Sequence, residues 1–176
     1  MIDSRADVRI YDAYEMVFDH PVDPSPGESF ILRWRLKVDA TTGYYDQSIG
    51  VTSDAAGPDE FYEVQFGFRV DTVLSTFEHG TSAPIVPGVF HDYELWSADM
   101  RTYRLYVDGG LALTGSFVEV FGPPRIAFGD TLQGGTSLAE WDYVRFGVIP
   151  EPPALGALLA AGVFARHASS GWSRRC

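Results

Sequence analysis

Arg33 and Arg35 sit between Leu32, Trp34 and Leu36; Glu63 and Gln65 sit between Tyr62, Val64 and Phe66. These are hydrogen-bonding groups held at two-residue spacing inside otherwise apolar runs, and Arg69 continues the second series. Period two sends alternate side chains to opposite faces of a strand, so all five occupy the non-core registers of two strands. If those strands are neighbours, one sheet carries a face of planar donors and acceptors, the groups that read sugar hydroxyls. An aromatic ring for the sugar's apolar side completes such a site; Trp96 is the first choice, with Tyr62 and Tyr106 as others. The competing reading is a plain solvent face on which Arg and Glu neutralise each other across strands. Sequence leaves both open.

Covalent and metal chemistry finds little support. There is no Gly-x-Ser-x-Gly elbow, no His-Glu-x-x-His helix and no phosphate loop. His20, His79 and His91 have the chemistry of a lyase base, but they are scattered and motif-free, as loop or surface histidines are. Asp59, Glu60, Asp92 and Glu94 read as solvated charges. Cys176 is the single cysteine, which excludes an intrachain disulfide and a cysteine-rich metal site. The net charge is −11, and Arg166, Arg174 and Arg175 make the last stretch basic, so the body is more acidic still. Such a body repels phosphate backbones and argues against nucleic acid as a partner.

The elements that must position these groups are strands. Phe30, Leu32, Trp34, Leu36 and Val38 alternate with Arg33, Arg35 and Lys37 from Glu28 onward. Further strands are expected at Asp46 to Ser53, Phe61 to Val70, Thr72 to Glu78, Phe90 to Trp96, Thr102 to Asp108, Leu111 to Thr114, Arg125 to Phe128 and Leu138 to Gly147. Gly80 to Gly88 reads as loop. Asp108-Gly109-Gly110 supplies the positive φ of a two-residue hairpin turn. No helical periodicity precedes Pro150. With 176 residues, 18 Gly and 11 Pro, the expectation is one all-β domain: a two-sheet antiparallel β-sandwich or jelly roll.

After Ile149 the character changes. Pro150-Glu151-Pro152 precedes residues 153–165, which carry no charge, and Arg166 opens a basic end. One reading is a short apolar C-terminal helix packed on the sandwich. Two features oppose it: the run has no polar face, and the arginines beyond it look like a cytoplasmic flank. Its 13 residues fall short of the ~20 that span a bilayer comfortably. The order of Pro-Glu-Pro, apolar run and basic end resembles the PEP-CTERM sorting signal of exported bacterial proteins, with a shorter run and a longer extension past Arg166 than is usual. That resemblance implies transient membrane insertion of the tail and recognition by an exosortase, a membrane protease, at Pro150, Glu151, Pro152 and Arg166. It also implies export, so a signal peptide is expected upstream of Met1.

Two stretches of the body carry a second resemblance. His91-Asp92-Tyr93-Glu94-Leu95-Trp96 with Tyr103 to Gly110 is similar to a hairpin of laminin-G-like and concanavalin-A-like domains. Ile126 to Asp130 and Trp141 to Phe146 look like that superfamily's closing strands. The superfamily hosts lectins, glycosidases, lyases and adhesion modules, so it implies fold more than function. Its glucanases carry Glu-x-Asp-x-x-Glu on one strand, and two carboxylates are needed to cleave a glycosidic bond. Here the strand of similar character has Glu63, Gln65 and Phe68, leaving one carboxylate, so a glucanase activity is not expected. The resemblance also offers Asp142 as a ligand of a structural Ca²⁺, a hard cation that prefers carboxylate and carbonyl oxygens. An ordinary strand aspartate is the alternative. The expectation is therefore a concanavalin-A-like domain over residues 1–148, not necessarily with its native N-terminus, and a sorting tail over 149–176. The whole reads as a non-catalytic exported surface or matrix protein able to bind extracellular polysaccharide. The alternative is a polysaccharide-active hydrolase or lyase with an unrecognised site.

Overall fold

A computed structural model describes residues 2–3, 13–17, 24–42, 47–54, 61–78, 80–121, 123–130 and 137–150. Among them every regular element is a strand. In chain order these are β1 (Ile2–Asp3), β2 (Ala13–Val17), β3 (Glu28–Thr41), β4 (Gln47–Ser53), β5 (Phe61–Phe68), β6 (Thr72–Ser75) and β7 (Ser82–Pro84). There follow β8 (His91–Ser97), β9 (Thr102–Val107), β10 (Gly110–Ser116), β11 (Val118–Val120), β12 (Arg125–Asp130) and β13 (Ser137–Pro150). The Pro-Glu-Pro tail beyond Pro150, including Glu151, Pro152, Arg166 and the expected apolar helix, lies outside the described residues, as do His20 and His79.

The strands form two antiparallel sheets. One has six strands in the order β1-β13-β3-β8-β9-β10; the other has β2-β12-β4-β5-β6-β7, with β11 pairing β5 beside the start of that strand. The chain is thus an all-β, two-sheet antiparallel sandwich of the jelly-roll kind. The alternation read from sequence is what closes it. Phe30, Leu32, Trp34, Leu36 and Val38 of β3 are buried and meet Val64, Phe66 and Phe68 of β5 between the sheets. Trp34 lies at the centre, stacked on Tyr93 at 5.2 Å and edge-on to Phe68 at 6.2 Å. Leaving a Trp or Phe of this size in water instead of between sheets would cost about 1.5–3 kcal/mol for each side chain, so these positions set which face of each strand turns inward.

The turns match their chemistry. Asp108 and Gly109 join β9 to β10 with φ of 50° and 79°, as a primed two-residue turn needs. Asp108 also ties the hairpin down: its carboxylate bridges the His91 ring at 2.6 Å and accepts the Asp92 N–H at 3.0 Å. Between β8 and β9, Asp99 accepts the N–H groups of Arg101 and Thr102 at 2.9 and 2.8 Å, closing a turn in which Met100 is fully buried at positive φ.

Four differences from the expected layout matter. Ser82–Pro84, inside the stretch expected to be loop, is a strand on the edge of the second sheet. β1, β2 and β11 are two to five residues long and had no period to reveal them. β5 stops at Phe68, where Arg69 donates its N–H to the Thr72 carbonyl in a tight connection, and β6 ends at Ser75. β13 runs on through Val148 to Pro150, where Pro150 faces Glu28, so the first proline of Pro-Glu-Pro belongs to the sheet.

Candidate functional site

The condition on which the polar residues would share one face, that their strands be neighbours, is not met. Arg33 and Arg35 are on β3 in the six-stranded sheet, whereas Glu63 and Gln65 are on β5 in the other, and Arg69 is in the β5–β6 connection. Both pairs point away from the core, but on opposite outer surfaces of the sandwich. Equal parity in two strands says nothing about which sheet each one joins.

On the seven-stranded side the candidates serve the fold. The Gln65 amide donates to Ser48 Oγ at 3.2 Å and accepts from Thr76 Oγ1 at 3.1 Å, so both its ends are engaged. Glu63 and Arg125 flank Thr52 from the two neighbouring strands. The Glu63 carboxyl lies against Gly50, where an added Cβ would come to 3.3 Å from its Oε1. Burial raises the Glu63 pKa above the usual carboxylate value, with Arg125 pulling the other way.

The six-stranded sheet is different. Alternation aims Arg33 and Arg35 of β3, Asp92, Glu94 and Trp96 of β8, and Arg104 and Tyr106 of β9 at the same outer face. Across that face Arg33 pairs with Glu94 and Trp96 with Arg104 in register. Arg33 Nε donates to Glu94 Oε2 at 2.5 Å, and the Trp96 indole N–H donates to the other oxygen of the same carboxylate. Arg35 holds Asp142 at 3.2 Å and Asp92 at 3.8 Å, and Asp92 accepts the Tyr143 hydroxyl at 2.9 Å. Lys37 reaches Glu140 at 2.5 Å and Asp39 at 3.2 Å, and those bonds raise its pKa. The neutralising cross-strand ladder weighed against ligand binding is therefore real for Arg33 and Arg35; their charges are matched within the sheet.

Trp96 walls two recesses. One, of about 250 Å³, is formed by Glu94, Trp96, Arg104 and Tyr106. The other, of about 520 Å³, continues past Trp96 and Arg104 along Ser29, Thr102, Thr114 and Ser116. A third, of about 530 Å³, opens on the other side of Glu94 between Arg33, Asp92, Tyr106 and Tyr143. Together they make a furrow over β8 and β9 with ring faces and hydrogen-bonding groups side by side. Sequence pointed to Trp96 and Arg33, and held Tyr106 in reserve. It missed Arg104 and Tyr143 and dismissed Glu94, although the outward register of Arg104 between Tyr103 and Leu105 was there to read.

Asp142, the candidate cation ligand, is engaged by a cation of the protein itself. It is the extra residue of a β-bulge: Trp141 faces Leu36 and Tyr143 faces Arg35, with Asp142 unmatched between them. The bulge swings its carboxylate onto the Arg35 guanidinium. A cation there would have to displace that positive charge. Among the described residues no group of three or more His, Cys, Asp or Glu side chains gathers in one place.

No family model matches the chain, and no curated protein does. Solved structures that it resembles include an alginate lyase, AlgAT5, from polysaccharide lyase family 7, at 12% identity and a TM-score of 0.43 over 69% of this chain. The chain spans 60% of that lyase's length. Sheep galectin-11 is matched at 9% identity and a TM-score of 0.43, covering 78% of this chain and 98% of the galectin. The carbohydrate-binding module CBM66 from Bacillus subtilis is matched at 13% identity and a TM-score of 0.40, covering 79% and 84%. Likeness at this level goes no further than sandwich architecture. What the site does has to be argued from its own side chains.

Proposed function

We propose that the chain is a non-catalytic, exported protein that holds polysaccharide on the outer face of its six-stranded sheet. The observation that carries this reading is the furrow itself. The half-buried rings of Trp96 and Tyr106 stand beside Glu94, Arg33 and Arg104 in adjoining recesses on an open face. Sugar rings offer an apolar side to stack and a rim of hydroxyls to bond, and planar side chains locked by their neighbours bind them at low entropic cost. The carboxylate of Glu94 is held by Arg33 and the Trp96 indole, so it acts here as an oriented acceptor.

The test is to incubate the purified domain with a panel of neutral and acidic glycans and to measure retention and product release separately. Retention without cleavage is expected. Trp96→Ala should weaken it about tenfold or more, the loss typical of an aromatic anchor, with circular dichroism unchanged. Wild-type retention that survives the substitution would remove the furrow from the account. Released oligosaccharides would instead indicate a polysaccharide-active enzyme of the same fold.

Export and sorting belong to the proposal through Pro150-Glu151-Pro152, the uncharged run after it and Arg166. A C-terminal epitope following Cys176, on the protein expressed from its own locus in an exosortase-bearing host, should be absent from the mature surface form. Glu151→Ala should keep it. A wild-type surface protein that retains the epitope would end the sorting reading and leave the binding reading standing.

A further inference from the structure

We propose that the glycan is anionic and that Arg104 receives its acid group. The inference rests on the furrow being a glycan site and names the class of glycan.

Arg104 is set apart from the other cations of this face. Arg33 is matched by Glu94, Arg35 by Asp142 and Asp92, and Lys37 by Glu140 and Asp39. Arg145 lies over the Tyr143 ring at 4.9 Å. The Arg104 side chain makes no hydrogen bond, ion pair or ring contact among the described residues. The chain has 24 acidic residues against 13 basic ones, so a carboxylate partner is the ordinary fate of an arginine here, and among the described residues Arg104 has none.

Its position gives that free charge a use. Arg104 is exposed on β9 where the recess beside Tyr106 and the longer recess beside Thr114 meet. The one carboxylate lining the smaller recess, Glu94, is already bonded by Arg33 and by the Trp96 indole, so the uncompensated charge there is positive. A guanidinium presents planar paired donors that fit a carboxylate or a sulfate ester. Trp96 stands directly across from Arg104 in the ladder, so a ring stacked on the indole brings an acid substituent towards the guanidinium. On the other side Thr114 faces Arg104, and its hydroxyl has no partner among the described residues. Asp92 to Ala98 extend about 20 Å at ~3.3 Å per strand residue. The furrow therefore suits several units of a chain better than one terminal sugar.

The experiment measures binding of the full chain to two matched pairs: polygalacturonate against its fully methyl-esterified form, and dextran sulfate against dextran. Wild type is expected to bind at least one acidic member more than tenfold tighter than its uncharged counterpart, and the pair that responds identifies carboxylate or sulfate. Arg104→Gln should erase that preference and leave the weak binding of uncharged polymer intact; Arg104→Lys should restore only part of it. Equal binding of charged and uncharged members by wild type overturns this inference while leaving glycan binding in place. Failure to bind any polymer overturns both. A preference that Arg104→Gln preserves, or that Trp96→Ala leaves untouched, overturns the assignment and points to polyanion adsorption elsewhere on the surface.

Discussion

Trp34→Ala is expected to cost about 3–5 kcal/mol, enough to leave a domain of ordinary 5–15 kcal/mol stability partly unfolded near body temperature. Trp34 is fully buried at the middle of β3 and is flanked in the sheet by Tyr93 of β8 and Val144 of β13. Its ring stacks on Tyr93 with an interplanar angle of 3° and touches Phe66 and Phe68 of the opposite sheet, so one side chain joins both layers. Alanine leaves a void that these rings cannot close without abandoning their own contacts. Among the described residues the indole N–H and the Tyr93 hydroxyl are both buried without a hydrogen-bond partner. Burial also raises the Tyr93 pKa, with Asp108 adding to it, which keeps the phenol neutral. Tyr93→Phe therefore removes an unsatisfied group and should hold or raise the urea midpoint, while Trp34→Ala lowers it sharply. A loss below about 1 kcal/mol for Trp34→Ala would mean that the sheets are held together elsewhere.

What was legible in the sequence was whatever a single strand or turn decides by itself. The alternation from Phe30 to Val38 gave the buried face of β3, and Asp108-Gly109 gave the hairpin, because each depends on neighbours in the chain. Partnership was not legible. Arg33 and Glu63 have the same outward register and end up on opposite surfaces, since strand order is set by the packing of the whole sandwich. The bulge at Asp142 shows the same limit in one strand. Trp141 and Tyr143 are two residues apart, yet Trp141 turns inward onto Phe128 and Phe68 while Tyr143 turns outward to Asp92. A pattern of period two has no way to announce the extra residue. For the site, Trp96 was readable as an aromatic on the outward register of a strand. That Arg104 has no carboxylate partner among the described residues was not, because it depends on which acids the topology brings within reach.

Gly115→Ala is the second substitution expected to have a large effect, about 1–3 kcal/mol, and its cause lies in a carboxylate already engaged by two donors. Gly115 is in β10 opposite Tyr103, and its φ lies outside the left-handed region, so alanine meets no backbone strain. A Cβ there would stand 2.0 Å from Glu78 Oε2. An exposed glutamate would swing aside, but this one accepts the Tyr103 hydroxyl at 2.9 Å and the Ser116 N–H at 2.8 Å. Tyr103 is 3% exposed, so displacing Glu78 takes one partner from a buried hydroxyl, which keeps Ser75, and another from an exposed strand N–H. Glu78 lies between β6 and β7, hence the contact fastens the last hairpin of one sheet to the edge of the other. A double-mutant cycle separates the clash from any general intolerance of bulk at this position. Glu78→Ala should cost a comparable amount alone, and adding Gly115→Ala to it should cost under about 0.5 kcal/mol more, because the atom that collides has gone. Full additivity in denaturant unfolding would show that the two residues do not oppose each other, and the fastening between the sheets would have to be sought elsewhere.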